Sequence, residues 1–389
     1  MKKKKRESAI QQASSIAMMP VDWSELPNDL LNLISQLFDN KIDLNSFRSI
    51  CSNWRSASIP NQHRNIFTLQ FPLFRPPFNI DSINNISEFR NLSKHGFFLI
   101  KPPQVGRHRR PWLFRITQNS TGKIQFHDPL LRRGLHSSSD PVFFDFNKFS
   151  LLHLATNFIC IDEQMKLPIS LTDMSFRNPT KAIAVTSHGN KPIILGTFAC
   201  SRGCPVVFKC GDENWKAIPN MSAYFGDICV FKGRPYAVDN TGRTVTVELG
   251  PEDSTVQLVA QSLVGGGDIK FLVESDSDLL LADVYQRRFD APDEHIRINV
   301  FKLNEKEKKW VKLANIGDRV LFLGWLCSFS VSASDLCVRK RNCVIIMDNI
   351  FNRYCKTSFL DLDDGRVLDL SSYPKYSKLF RTPRIKKLN

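Results

Sequence analysis

The periodicity of apolar residues changes near Pro60, and this change constrains the fold more than any other feature of the sequence. Before Pro60, apolar residues recur every three or four positions, as in amphipathic helices. After it, short apolar or alternating runs are separated by Gly, Pro, Asn and Asp, as in strands joined by tight turns. The 389-residue chain is therefore predicted to combine a small helical module with one large β-rich domain.

Residues 22–58 are predicted to form two short amphipathic helices. Pro27 suits the first helical position, because a proline there gives up no intrahelical hydrogen bond. The first helix should end near Asn40, and Asp43 should cap the second. The apolar faces are Leu30, Leu33/Ile34 and Leu37 on the first helix, and Phe47, Ile50/Cys51 and Trp54 on the second. Two helices of this length bury little surface between them, so a partner should cover much of both faces.

In this segment the chain resembles the F-box. The resemblance is carried by Leu26-Pro27, Leu30-Leu31, Ile34, Leu37, Asp43-Leu44, Phe47-Arg48, Ile50-Cys51 and Trp54-Arg55. It implies docking on the Skp-type adaptor of a cullin-based ubiquitin ligase, with apolar side chains in a groove. The docking or supporting positions that it implies are Leu26, Pro27, Leu30, Leu31, Ile34, Leu37, Leu44, Phe47, Ile50, Cys51 and Trp54. The sequence does not divide those that touch the adaptor from those that pack the F-box. The alternative is a helical cap packed on the larger domain.

Paired strand patterns continue from Gly96 to Leu360, with almost no helical periodicity between them. Within them, Val207-Phe208-Lys209 precedes Trp215 as Val300-Phe301-Lys302 precedes Trp310, and the two tryptophans are 95 residues apart. Two units of propeller-blade size, about 40 to 50 residues each, fill that interval. A tryptophan on an outer strand that packs between neighbouring sheets would explain the pattern.

The segments Phe225–Asp239 and Asp361–Arg366 are similar to plant F-box proteins whose large C-terminal domain is β-rich and described as kelch-like. Arg234-Pro235 departs from that family's usual turn, so the adjoining strand is expected to begin one residue later or to lie at an edge. The fold class expected is α+β multidomain: a small N-terminal helical F-box, then an all-β domain, a β-propeller of about six or seven blades. The predicted domains are a disordered basic tail at 1–20, the F-box at 21–64, the propeller at 65–375 and a basic C-terminal tail at 376–389.

The net charge of +15 is concentrated near the two ends of the chain. Residues 2–6 supply five positive charges and residues 375–387 supply six, which leaves +4 on the rest. These are solvated charge runs by default, although Lys2 to Arg6 could also act as a nuclear import signal. One interior basic patch remains, and it could contact phosphate or an acidic protein or be a loop rim. It comprises Lys101, Arg107, Arg109, Arg110, Arg115, Lys123, Arg132 and Arg133.

Several classes of function are disfavoured by the sequence. No run of 18 apolar residues exists and the N-terminus has no continuous apolar region, so neither a membrane span nor secretion is expected. Most of the ten cysteines lie in apolar runs and should be reduced, and the spacing of Cys200, Cys204 and Cys210 does not fit a structural zinc site. No serine-hydrolase elbow, zinc-protease motif or phosphate-binding loop occurs, so no catalytic residue, metal or cofactor is predicted.

The sequence thus predicts a non-catalytic substrate-receptor subunit of a Skp–cullin–F-box ubiquitin ligase. Its partners would be the adaptor, through it a cullin, and an unidentified target protein, with no membrane partner and nucleic acid disfavoured. The compartment expected is nucleus and/or cytoplasm. Two alternatives stay open: a nuclear nucleic-acid or chromatin-associated binding protein, and an F-box protein that acts outside a ligase.

Overall fold

A computed structural model gives the fold of the chain. The residues that it describes are 23–36, 38, 41–58, 70–72, 89–102, 110–118, 124–127, 129, 149–161, 181–185, 193–197, 204–209, 212, 215–222, 226–249, 254–285, 297–347 and 357–380. The chain divides into two compact units, residues 1–65 and residues 66–389. The predicted basic tail at 1–20, and residues 381–389 of the predicted basic tail at 376–389, lie outside the described residues.

The described part of the first unit contains three short helices, where two were predicted. A 3-10 turn at Trp23–Glu25 precedes α1 (Asn28–Gln36), α2 (Lys41–Arg48) and α3 (Ser52–Ala57). The second predicted helix is interrupted because Cys51 has an extended backbone, and its Sγ accepts a hydrogen bond from the N–H of Trp54 at 3.5 Å. The prediction that Asp43 caps the second helix is wrong, since α2 begins two residues earlier. No described helix has the length and apolar character that a membrane crossing requires.

The second unit is built from strands, and its described strands form four sheets. The first sheet contains β1 (Gln70–Pro72), β2 (Phe89–Lys101), β3 (Trp112–Gln118), β4 (Ile124–His127), β5 (Ser150–Ile161), β6 (Lys181–Val185), β7 (Ile193–Thr197), β8 (Val206–Lys209) and β9 (Lys216–Ala217). The second contains β10 (Asp227–Phe231), β11 (Arg234–Val238), β12 (Thr244–Leu249) and β13 (Ser254–Ala260). The third contains β14 (Ile269–Ser275), β15 (Asp278–Tyr285), β16 (Arg297–Asn304) and β17 (Lys309–Lys312). The fourth contains β18 (Arg319–Leu323), β19 (Phe329–Ser332), β20 (Cys343–Ile346), β21 (Ser358–Asp361) and β22 (Val367–Asp369).

The second and third sheets are antiparallel meanders in which each strand pairs with the next along the chain. The first sheet has the order β4-β3-β2-β5-β6-β7-β8-β9, with β1 also paired to β2. Its β5 and β6 are joined at one register position, Phe158 opposite Ala182. The fourth sheet has the order β19-β18-β20-β21-β22, and its β18 and β20 run parallel.

A two-residue turn at Lys232-Gly233 fixes the hairpin of β10 and β11. Both turn residues have positive φ, 49° and 74°, which matches the right-handed twist of a tight hairpin. The expectation for Arg234-Pro235 is wrong, because β11 begins at Arg234 and lies between β10 and β12. Pairing with β12 starts only at Tyr236, so the missing N–H of Pro235 removes no hydrogen bond between these strands.

Alternate residues of the third sheet face two different sheets, which explains its continuous apolar runs. Leu272 of β14 packs in one cluster with Phe231 and Tyr236 of the second sheet. Phe271, its neighbour, packs in another cluster with Leu321 of the fourth sheet. Successive side chains of a strand point to opposite faces, so a sheet covered on both sides needs apolar residues at consecutive positions.

The sheets pack in chain order, and the last sheet packs against the first. Strands β6 to β8 of the first sheet share a core with the second sheet. At the other end, Phe329 of the fourth sheet stacks on Phe322 at 4.8 Å and lies 5.7 Å from Phe97 of β2, measured between ring centroids. This closed order is the arrangement that a propeller requires. The number of six or seven blades stays a prediction.

The two tryptophans of the sequence repeat are both buried. Trp310 lies on β17, the outer strand of the third sheet, and its Nε1 donates to the carbonyl of Gly242 in the second sheet at 2.9 Å. This contact confirms the prediction that a tryptophan packs between neighbouring sheets. Trp215 precedes β9, and its ring lies 5.3 Å from that of Phe208.

The chain after β22 packs against the fourth sheet instead of leaving it at residue 376. A 3-10 turn (Leu370–Ser372), helix α4 (Pro374–Ser377) and a second 3-10 turn (Lys378–Phe380) follow in succession. Tyr376, Leu379 and Phe380 are buried in the core between the fourth and first sheets. The assignment of residues 376–380 to the basic tail is therefore wrong. These residues belong to the β-rich unit because three of their five side chains are buried in its core.

Candidate docking surface

The interior of the helical unit is formed by one side of α1 and by an aromatic cluster. Leu31 is fully buried and Phe47 is 5% exposed. The ring of Phe47 lies 4.5 Å from that of Trp54 and 5.3 Å from that of Phe38, measured between centroids. These contacts join α2 to α3 and to the chain that follows α1, so the three short helices stabilise each other.

Helix α3 also holds the chain that precedes α1. The Nε1 of Trp54 donates to the carbonyl of Trp23 at 3.0 Å, and the side-chain amide of Asn53 donates to the carbonyl of Ser24 at 2.9 Å. The helix after Pro27 begins with the N–H of Leu31 bonded to the carbonyl of Pro27 at 3.0 Å. The start of α1 is therefore fixed in position by side chains about thirty residues later in the sequence.

The opposite side of α1 exposes large apolar side chains. Leu30 is 47%, Leu33 56% and Ile34 36% exposed, and we call these three residues the exposed stripe. Their spacing of three and four residues places them on one face of the helix. Ile50, between α2 and α3, is 58% exposed. A scattered exposed leucine is ordinary on a protein surface, but a group of apolar residues on one face of a helix marks a surface that binds another molecule.

The structure divides the predicted docking residues by their exposure. The exposed ones are Pro27, Leu30, Ile34 and Ile50; the partly buried ones are Leu26, Leu44, Cys51 and Trp54; the buried ones are Leu31 and Phe47; and Leu37 lies outside the described residues. The exposed residues are available to a partner, whereas Leu31 and Phe47 support the fold of the helical unit. Contact of any of them with an adaptor stays a prediction.

Two exposed residues were left out of the predicted docking set. Leu33 completes the exposed stripe. Its spacing of three residues from Leu30 places it on the same helix face and so predicts that it belongs to the docking residues. Trp23 is 64% exposed, although its carbonyl is bonded to Trp54. Trp23 lies in the 3-10 turn before α1, and the helical period of the apolar residues does not predict this turn.

The interior basic patch predicted between residues 101 and 133 is not one uniform surface. Lys101 forms an ion pair with Asp335, and Arg115 is 3% exposed. Arg115 lies on the same buried face as His95, and burial, then the positive charges of Arg115 and His127, hold the pKa of His95 well below its usual value. Arg110 is exposed. Arg107, Arg109, Lys123, Arg132 and Arg133 lie outside the described residues.

The described cysteines are free thiols, and burial disfavours the thiolate form of three of them. Burial raises the pKa of Cys343 to about 12, and burial also raises the pKa of Cys229 and of Cys204. A thiolate is the nucleophilic form of cysteine, so these three side chains are poor nucleophiles at neutral pH. Of the cysteine cluster considered for zinc, Cys200 and Cys210 lie outside the described residues.

Comparison with known proteins gives a family model that matches most of the β-rich unit and relatives that align over most of the chain. A family model described as KIB1-4 beta-propeller matches residues 113–370, from β3 to the 3-10 turn after β22. F-box protein SKIP23 of Arabidopsis thaliana is 32% identical over 396 residues, which cover 93% of this chain and 95% of that protein. F-box protein At2g17036 of the same plant is 29% identical over 401 residues, with 93% and 94% covered. F-box/kelch-repeat protein At1g64840 is 27% identical over 339 residues, with 82% and 81% covered.

Proposed function

The chain belongs to the family of plant F-box proteins with a KIB1-4 beta-propeller domain, and we propose that it is a substrate-receptor subunit of a Skp–cullin–F-box ubiquitin ligase. The helical unit would dock on the Skp-type adaptor, and the β-rich unit would hold a target protein. The observation that carries the proposal is the exposed stripe on α1, which leaves Leu30, Leu33 and Ile34 open to a partner on a unit that has already buried Leu31 and Phe47.

The contribution of such a subunit to ubiquitin transfer is positional. It would raise the effective concentration of target lysines near the conjugating enzyme that the other end of the complex recruits. The chain itself would carry out no chemical step, in line with the raised thiol pKa values of Cys204, Cys229 and Cys343. The propeller would have six or seven blades, and the protein would act in the nucleus and/or the cytoplasm.

Adaptor capture by variants of the full chain tests the docking assignment. Leu30→Glu/Ile34→Glu places two charges on the exposed stripe without changing a buried side chain. Burial of one such side chain in an interface contributes about 1.5–3 kcal/mol, so the double variant should retain less than about a tenth of the adaptor. The matched control is Val264→Glu, which places one such charge at a fully exposed valine of the β-rich unit.

Equal recovery of adaptor by Leu30→Glu/Ile34→Glu and Val264→Glu would reject the docking assignment. Both variants should unfold at the same temperature as the unmodified chain. This result would show that a loss of adaptor binding is not caused by unfolding. Co-purification of a cullin with the captured adaptor then separates a ligase subunit from an F-box protein that acts outside a ligase.

A further inference from the structure

Three segments that are distant in the sequence meet at a cleft of about 200 Å³ in the β-rich unit. They are the residues before β3, the turn after β19, and α4 with the 3-10 turn that follows it. The floor is apolar and includes Pro111, Leu336 and Leu379, which are all buried. The exposed residues that line the cleft include three cations, Arg110, Lys375 and Lys378, and we call these three the rim. Two basic regions that appear unrelated in the sequence therefore contribute to one site.

The three rim cations carry uncompensated charge. Among the described residues, Arg110, Lys375 and Lys378 are exposed and form no ion pair. Three acidic groups of the neighbouring segments are already engaged in ion pairs. Asp335, next to Leu336, pairs with Lys101, and Asp361 and Asp363 both pair with Lys340, at 2.6 and 3.1 Å. The rim thus presents three positive charges without a described ion pair, and an anionic partner would compensate them.

The rim is held in place by buried anchors. Tyr376, between the two lysines, donates its hydroxyl to the carbonyl of Lys340 and lies within 3.4 Å of the thiol of Cys343. Phe380 is buried against the ring of Phe322. These side chains fix α4 and the 3-10 turn that follows it to the fourth sheet. The backbone that carries Lys375 and Lys378 is therefore anchored, and little of its conformational entropy is lost on binding.

We propose that this cleft binds an acidic peptide segment of a partner protein, with an apolar side chain on the floor and carboxylate or phosphate groups at the rim. The inference deepens the proposed function, on which it rests, by naming the class of target segment. Pockets for whole small molecules have volumes of about 300–1,000 Å³, so a cleft of this size fits one inserted side chain better. A nucleic acid would use a longer track of cations and would leave the apolar floor without a contact.

Fluorescence anisotropy with the purified full chain tests this proposal without any adaptor. The probe is a fluorescein-labelled peptide with one leucine flanked on each side by two glutamates, in Gly/Ser linkers. A second peptide replaces the glutamates next to the leucine with phosphoserine, which separates phosphate from carboxylate as the preferred anion. A third replaces the leucine with glycine, and a duplex DNA oligonucleotide replaces the peptides in the last arm.

The test variant is Arg110→Gln/Lys375→Gln/Lys378→Gln. The matched control is Lys306→Gln/Lys308→Gln/Lys312→Gln, which removes three charges from exposed lysines that have no described ion pair. Exposed charge pairs contribute up to about 1 kcal/mol each, so the test variant should bind the better acidic peptide about tenfold more weakly and the control less than about twofold. Lys375→Glu alone should weaken binding of the acidic peptide several-fold. This single variant tests the rim if the triple variant does not fold.

The proposal is overturned if the unmodified chain binds neither acidic peptide, if the control variant loses as much affinity as the test variant, or if only the DNA depends on the rim cations. Loss of affinity on replacing leucine by glycine supports the role of the apolar floor. Adaptor capture by the same triple variant should stay unchanged. Failure of adaptor docking would leave the peptide affinity unaffected, so the two proposals fail separately.

Discussion

The ammonium group of Lys181 and the carboxylate of Asp227 form a buried ion pair between the first and second sheets, with 2.7 Å between Nζ and Oδ1. Their side chains are 4% and 6% exposed. The other carboxylate oxygen of Asp227 accepts a hydrogen bond from the backbone N–H of Leu272 in the third sheet at 2.8 Å. Burial alone would lower the pKa of Lys181, but the charge of Asp227 and its hydrogen bond raise the pKa above its usual value. One carboxylate therefore connects three consecutive sheets.

Removing the charge of Asp227 should destabilise the β-rich unit strongly. Asp227→Asn leaves the ammonium of Lys181 buried without a counter-charge, and breaking a buried pair in this way costs about 3–5 kcal/mol in the free energy of unfolding. Urea unfolding followed by circular dichroism measures the loss. Asp278→Asn is the matched control, because Asp278 pairs with Lys302 at 39% and 47% exposure and its loss should cost at most about 1 kcal/mol. Similar losses for the two variants would contradict the assigned role of Asp227.

Trp310 should stabilise the contact between the second and third sheets through its indole N–H as well as its ring. Trp310→Phe keeps an aromatic ring but leaves the carbonyl of Gly242 and the hydroxyl of Thr244, 2.9 and 3.2 Å from Nε1, without this donor. The carbonyl of Gly242 keeps a hydrogen bond from the hydroxyl of Thr244 at 3.0 Å. The variant should therefore lose about 0.5–1.5 kcal/mol in the free energy of unfolding, which is the contribution of one hydrogen bond. Val311→Ala, at an exposed neighbour on the same strand, should change it by less than about 0.5 kcal/mol. A Trp310→Phe variant as stable as Val311→Ala would show that the hydrogen bond contributes nothing.

Local patterns predicted the strands well, because a strand depends on alternation and on the turn that follows it. The prediction for Thr244–Leu249 matches β12 at both ends, and Asp227–Phe231 matches β10. The spacing of two tryptophans predicted that the sheets pack in the manner of a propeller. Their interval reflects repeated units of similar size, and it does not reveal how many there are.

What the sequence did not predict depends on residues that are distant along the chain. Lys181 and Asp227 are separated by 46 positions, so nothing local distinguishes them from surface charges. The break at Cys51 is hidden because the helical period of apolar residues continues across it. The burial of Tyr376, Leu379 and Phe380 had a signal, namely their spacing of three and four residues, but the adjacent Lys375 and Lys378 are equally typical of a solvated tail.

The neutral state of His95 should make stability depend on pH. Its folded-state pKa lies well below 6.5 because of burial and the charges of Arg115 and His127, so the unfolded chain binds a proton first as the pH falls. The contribution of neutral His95 to the free energy of unfolding is fully present above about pH 6.5. It decreases below that pH, by about 1 kcal/mol between pH 6.5 and pH 5.5. Urea unfolding of the unmodified chain and of His95→Asn at both pH values measures it. If the two proteins lose the same free energy between these pH values, His95 is not the group responsible.

Phe380 should be as important for stability as a residue in the middle of the β-rich unit. It is 4% exposed and contacts Phe322, so Phe380→Ala should lower the free energy of unfolding by about 3–5 kcal/mol. Lys378→Ala, two residues earlier and exposed, should change it by less than about 0.5 kcal/mol. Thermal unfolding compares the stabilities of the two variants. A small effect of Phe380→Ala would mean that the β-rich unit ends before this residue.

Neighbouring leucines of α1 should have opposite roles, since Leu31 is fully buried and Leu30 is 47% exposed. Leu31→Ala should destabilise the helical unit by about 2–5 kcal/mol, whereas Leu30→Ala should cost less than about 1 kcal/mol and should instead weaken adaptor capture. Hydrogen exchange in the full chain, measured on peptides that cover α1 to α3, reports the stability of this unit by itself. Leu31→Ala should speed exchange throughout the three helices, and Leu30→Ala should leave exchange close to that of the unmodified chain. The reverse pattern would mean that the face assigned to the partner is the one that holds the helices together.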